Sequence, residues 1–167
     1  MTIYKTKDLI LAAKAKRDGA NYALRIILEA RKHPEIPVSL AFALIEQESG
    51  FKNIFGHDGV HNPAKKGGSV TKKTYAAYKV WRKQNLGMQG VGPGQLTWFE
   101  LQDEADRRGG CWKPRYNIEV SIEHLAALIR QNGLVDGIAQ YNGSGLAATA
   151  YSVSVRNKAR RWHKVLA

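Results

Sequence analysis

A single cysteine, Cys111, stands in a chain of 167 residues. One thiol closes no internal disulfide, so the fold must rest on packing alone, as suits production in a reducing cytoplasm. No apolar run approaches the ~18 residues of a membrane span. The charged start of the chain leads into no secretory leader, because Leu9–Ala13 gives way at once to Lys14. No internal repeat and no second domain can be discerned. Acid is scarce: 14 Asp and Glu face 26 Lys and Arg, for a net charge of +12. Such a balance calls for a polyanionic partner. Nucleic acid, an anionic membrane surface and the bacterial cell wall all qualify on charge, and charge alone does not choose among them.

What is present is ordinary globular material, 44% hydrophobic and 24% charged, enough for one core in one domain over 1–167. Helix signals dominate. Thr6 is placed to cap a helix carrying Leu9, Ile10 and Ala13 and ended by Gly19, and Asn21 a second with Leu24, Ile27 and Leu28 on one face. Pro37 suits the first turn of a helix over Val38–Glu48. Thr71 opens a helix whose Tyr75, Tyr78 and Trp81 read as packing residues. Thr97 and Glu100 have capping-box spacing. Asn117 is expected to cap an amphipathic helix with Ile118, Ile122, Leu125 and Ile129 inward and Gly133 at its end. A short apolar helix over Leu134–Tyr141 follows. Tyr151–Val155 alternates like a strand, but the terminal segment as a whole reads as helix. Between Lys52 and Val70 glycines and proline break the pattern, which predicts a long loop with a small hairpin and a mobile Lys65-Lys66-Gly67-Gly68. The fold class is therefore mainly α (α+β), with a small loop/β region around 52–70.

Glu48 is the residue that carries most chemistry. On a helix over Val38–Glu48 it shares one stripe with Ala41, Leu44 and Ile45, just before Ser49-Gly50. A carboxyl held against apolar surface is harder to ionise, which is what a general acid in glycoside cleavage needs. The alternative is a helix-terminal Glu turned to solvent. Glu46 is rotated off that stripe toward the side or solvent, and Glu46→Gln is expected to leave activity nearly unchanged.

Four segments in order resemble one family. Glu48-Ser49-Gly50 matches the Glu-Ser of goose-type lysozymes and soluble lytic transglycosylases, and Asn53-Ile54-Phe55-Gly56-His57-Asp58 resembles the Gly-x-Asp loop of the goose-type branch. Gly90-Val91-Gly92-Pro93-Gly94-Gln95-Leu96-Thr97 is similar to the Gly-Leu-Met-Gln segment, and Ala139-Gln140-Tyr141-Asn142-Gly143 to the Ala-Tyr-Asn-x-Gly segment. Tyr151 and its basic helix resemble the closing segment. The likeness covers 36–167; residues 1–35, read as N-terminal helices, match nothing in it. The chain departs from the pattern in a longer gap between Glu48 and Gln95, in Gly-Pro for Leu-Met, and in Gln140 within Ala-Tyr.

The resemblance implies a lysozyme-like catalytic domain that cuts the β-1,4 link between N-acetylmuramic acid and N-acetylglucosamine in peptidoglycan. It implies Glu48 as proton donor, and Ser49, Gln95, Tyr141, Asn142 and Tyr151 as substrate-binding residues, with Tyr151 also holding Glu48. The glycines around Gln95 would let backbone approach the glycan. Asp58 decides the subclass. An inverting hydrolase needs a second carboxylate about 6.5–9.5 Å from the first to activate water, whereas a transglycosylase manages with one. The alternative for Asp58 is an Asx turn at Asp58-Gly59. His57, Asp58 and His61 can also be read as metal ligands, but a third strong ligand at helical or short spacing is lacking. No cofactor or metal is expected. The expected partners are glycan strands and anionic wall polymers, with no specific nucleic acid, for a monomer made in a host cytoplasm and acting on the wall after release, as a phage endolysin or virion-associated lysin. Lytic transglycosylase, chitinase, a non-catalytic glycan binder and a nucleic-acid binder using Arg156–Lys164 are the alternatives.

Overall fold

The computed structural model describes residues 5–57, 65–84 and 87–167. The chain is mainly helical, at 68% helix with almost no strand. Among the described residues the helices are α1 (Thr6–Arg17), α2 (Ala23–Ala30), α3 (Val38–Ser49), α4 (Lys72–Arg82), α5 (Phe99–Arg108), α6 (Pro114–Asn142) and α7 (Gly145–Leu166). None is long and apolar enough to cross a membrane. Two compact units form: one from the chain up to Gln47 with Ile122–Ala167, the other from Glu48–Ser121.

In the first unit the helix starts differ from expectation. Lys5, not Thr6, precedes α1, and Tyr22 in left-handed conformation, not Asn21, precedes α2. The buried face of α2 carries Ile26, Ile27 and Ala30, while Leu24 and Leu28 are half-buried. Buried Asp8 of α1 pairs with Arg31 at 2.6 Å. Pro37 immediately precedes α3, and its carbonyl accepts from Leu40 and Ala41 at 2.8 and 3.2 Å. The expected single stripe on α3 is too narrow: Leu40, Phe42 and Ala43 are buried along with Ala41, Leu44 and Ile45. A helix apolar on all sides is buried on all sides.

Ile118, Ile122, Leu125 and Ile129 of α6 are all buried as their spacing requires. Gly133, at φ 80° and ψ 170°, breaks the helix where expected, before Leu134 begins its second half. The stretch Tyr151–Val155 lies within α7. Fully buried Trp162 of α7 stacks on Phe42 with ring centroids 4.8 Å apart. The indole N–H of Trp162 donates to Glu46 Oε2 at 2.7 Å, and Arg161 bonds the same oxygen at 2.5 Å. Glu46 is therefore a half-buried anchor for α7 and does not turn freely to solvent.

In the second unit, Thr71 caps α4 through a capping box with Thr74. Tyr75 and Tyr78 enter a core with Phe55, Val91, Leu96 and Ala105, against which Trp81 packs. Trp98 precedes α5 and no side chain caps it; Thr97 instead donates to the Gln95 carbonyl at 3.1 Å. Among the described residues of the expected hairpin region and its neighbours, isolated antiparallel bridges join Ile54 with Ser69, Phe55 with Val91, and Val91 with Leu96. The Lys65–Gly68 stretch is pinned at one end: Gly67 N–H donates to the Phe55 carbonyl, and Phe55 N–H to Gly68, both at 2.9 Å.

Replacing Glu46 by alanine leaves the buried indole N–H without its charged acceptor. This should lower the unfolding free energy by about 1–3 kcal/mol in urea denaturation. An unchanged midpoint would show that the Glu46–Trp162 bond contributes nothing.

Candidate active site

Glu48 and Ser49 form the last turn of α3. The helix is stopped by two successive left-handed residues, Gly50 at φ 59° and Phe51 at φ 62°. For Gly50 this costs little, but for Phe51 it costs about 1–2 kcal/mol. Burial of the Phe51 ring, 4% exposed, offsets that cost. The reversal leaves Glu48 half-buried at the rim of an apolar helix.

Ser49 fixes this helix end in place. Its hydroxyl donates to the Pro93 carbonyl at 2.8 Å, 44 residues on, and accepts from Lys52 N–H at 3.2 Å. Pro93 lies in a turn over Gly92–Gln95 closed by the Val91–Leu96 pair, whose two backbone bonds measure 3.2 and 3.0 Å. The same turn is tied to the loop after α3. The Ile54 carbonyl accepts from Gly92 N–H at 2.9 Å and from Gln95 Nε2 at 3.0 Å. Gln95 Nε2 also donates to the Gly92 carbonyl at 2.8 Å. Both amide hydrogens of Gln95 thus serve the turn, so its amide oxygen is what remains to meet a ligand.

Two glycines of this turn lie against packed side chains. A Cβ on Gly92 would lie 2.4 Å from Asn117 Nδ2, and one on Gly94 would lie 1.7 Å from Ser121 Oγ. They clear space for α6. Asn117, expected as a helix cap, is inside α6 and fully buried. Its oxygen accepts from Gly94 N–H at 2.8 Å and its amide donates to the Val91 carbonyl at 2.7 Å. Nothing in the spacing of the sequence distinguishes this clamp from a cap. Two more amides, buried Gln102 and half-buried Asn53, hold backbone carbonyls in the same unit without a signal in the sequence. Gln102 Nε2 donates to the Leu96 carbonyl at 2.7 Å and its oxygen accepts from Arg82 at 3.0 Å. Asn53 Nδ2 donates to the Val70 and Trp112 carbonyls at 2.9 and 3.1 Å.

Electrostatics in this unit follow burial. Loss of water pushes the Tyr75 and Tyr78 hydroxyls well above their ordinary range. It pushes the Cys111 thiol up to about 12, leaving an inert thiol and no nucleophile.

Of the other candidates, Tyr141, Asn142 and Tyr151 belong to the first unit. Tyr141 is half-buried near the end of α6, its ring 5.5 Å from that of His124; burial pulls His124 down from its usual pKa. Asn142 is exposed, and Tyr151 on α7 is 8% exposed. Asp58 and His61 lie outside the described residues, while His57 is exposed. No group of three or more His, Cys, Asp or Glu able to hold a metal ion occurs among the described residues. Compared with protein-family models, curated proteins and solved structures, the chain gives no significant match.

The clearance at Gly94 is testable by a double-mutant cycle. Gly94→Ala should destabilise the protein by about 3 kcal/mol or more, because backbone and helix must part. Adding Ser121→Gly removes both clashing atoms and should restore most of the loss in denaturant unfolding. Simple additivity of the two changes would contradict the packing described.

Proposed function

We propose that this protein is a peptidoglycan muramidase with a lysozyme-like catalytic domain, cleaving the β-1,4 bond between N-acetylmuramic acid and N-acetylglucosamine. The observation that carries the proposal is the hydrogen-bonded union of three motif segments in one unit. Ser49 holds the helix end that bears Glu48 to Pro93, and Ile54 holds the following loop to Gly92 and Gln95.

Glu48 is the general acid. It stands half-buried at the end of an apolar helix and gives its proton to the leaving glycosidic oxygen. Asp58, ten residues after Glu48 in the sequence, is the second carboxylate and activates the attacking water. Ser49 positions the helix end and the Gln95 oxygen accepts from the sugar's amide; Tyr141, Asn142 and Tyr151 are the substrate-binding residues that the family resemblance implies in the first unit. The net charge of +12 draws the protein to anionic wall polymers. The enzyme works as a monomer without cofactor and without specific nucleic acid. Its setting is phage-driven bacterial lysis, acting on the wall after release from a host cytoplasm or from a virion.

Glu48→Gln keeps the shape and removes the proton. It should slow turbidity loss of a wall suspension by ~10²–10⁴-fold while the unfolding midpoint stays put. Activity above about a tenth of the wild type would refute Glu48 as the acid. Asp58→Asn separates the two reactions that share Glu48. For hydrolysis its loss should approach that of Glu48→Gln; an active variant would assign a lytic transglycosylase, in which the substrate's own hydroxyl attacks.

A further inference from the structure

The first unit carries a groove of about 330 Å³ between the start of α3, the second half of α6 and α7. Pro37, Leu40, Ile138 and Ala159 line its apolar part. Leu134, placed directly after the Gly133 break, also lines it and is 48% exposed. Arg156, Arg160 and His163 run along one face of α7 at helical spacing and supply the polar side. No acidic residue lines the groove, and α7 contains no Asp or Glu at all.

The cations of α7 divide into two sets. Arg161 is held by Glu46, and Lys158 donates to Gln47 Oε1 at 2.9 Å. Arg156 and Arg160, by contrast, bond only within their own helix, to the Ser152 carbonyl at 3.4 Å and to Asn157 Oδ1 at 3.0 Å. Among the described residues neither guanidinium has a carboxylate partner. Two charged forks beside an apolar slot match an anion joined to hydrocarbon.

We propose that this groove binds an amphiphile with one phosphate or carboxylate head on a short alkyl chain. A slot without the arginines would suit a plain alcohol or alkane. The arginines without the slot would suit inorganic phosphate. At ~30 Å³ per non-hydrogen atom, the volume holds about eleven such atoms, a phosphate group and roughly six carbons. The head belongs against Arg156 and Arg160 and the chain over Leu40 and Ile138. Such a molecule comes either from a lipid bilayer or from solution.

Calorimetric titration of the whole protein with ethyl, butyl, hexyl and octyl phosphate tests this. Affinity should tighten by up to about fourfold for each methylene added, then level off near hexyl. The paired change Arg156→Gln and Arg160→Gln should weaken hexyl phosphate at least tenfold with an unaltered unfolding midpoint, and Ala159→Phe, which fills the slot, should do the same. Inorganic phosphate or hexanol binding as tightly as hexyl phosphate, or indifference to both variants, would overturn the proposal. Vesicles of phosphatidylcholine with and without phosphatidylglycerol identify the source. Arginine-dependent binding to the anionic vesicles supports a ligand drawn from a bilayer; binding of free alkyl phosphate with vesicles ignored supports a soluble one.

Discussion

The buried amide of Asn117 is the interaction on which the second unit's site depends. It presents an acceptor to Gly94 and a donor to Val91 at the same time, so the turn between them has one position relative to α6. The Val91 carbonyl also accepts from Leu96 N–H at 3.0 Å, so the Asn117 amide adds to the turn's own closure, each such bond contributing about 1 kcal/mol. With the turn fixed, the Pro93 carbonyl is fixed, and Ser49 transmits that position to the end of α3. The helix end that bears Glu48 is therefore held by a chain of hydrogen bonds that begins three helices away in sequence.

The first unit solves a different problem. Here α3 is buried on every side, and polar groups must be satisfied where they enter the core. Glu46 meets that need by accepting from both Trp162 and Arg161, and Asp8 by pairing with Arg31. What α7 leaves over is cationic charge without acidic partners, gathered beside apolar surface at Arg156 and Arg160. Part of the chain's strongly basic composition is thus gathered at one groove of the first unit.

Much of the helical frame was legible in the sequence because it rests on periodicity and on punctuation by glycine and proline. Ile118, Ile122, Leu125 and Ile129 face inward, Gly133 breaks the helix and Thr71 caps α4 for the reasons their spacing suggests. What was misread involves partners distant along the chain. Asn117 looks like a cap because capping and clamping use the same amide, and only the approach of Gly92 and Gly94 tells them apart. Glu46 looked idle because helical rotation says nothing about a tryptophan 116 residues away. At the site, the helix-end placement of Glu48 and Ser49 was legible. The bonds that join Ser49 to Pro93 and Ile54 to Gln95 were not, since they are made between loops whose course local patterns do not determine.

The central claim is that this scaffold cuts glycan strands by an acid-catalysed hydrolysis. The most direct measurement is mass spectrometry of the soluble products from purified peptidoglycan incubated with the wild-type protein. The account predicts muropeptides ending in reducing N-acetylmuramic acid. Intact glycan strands after exhaustive incubation would contradict it.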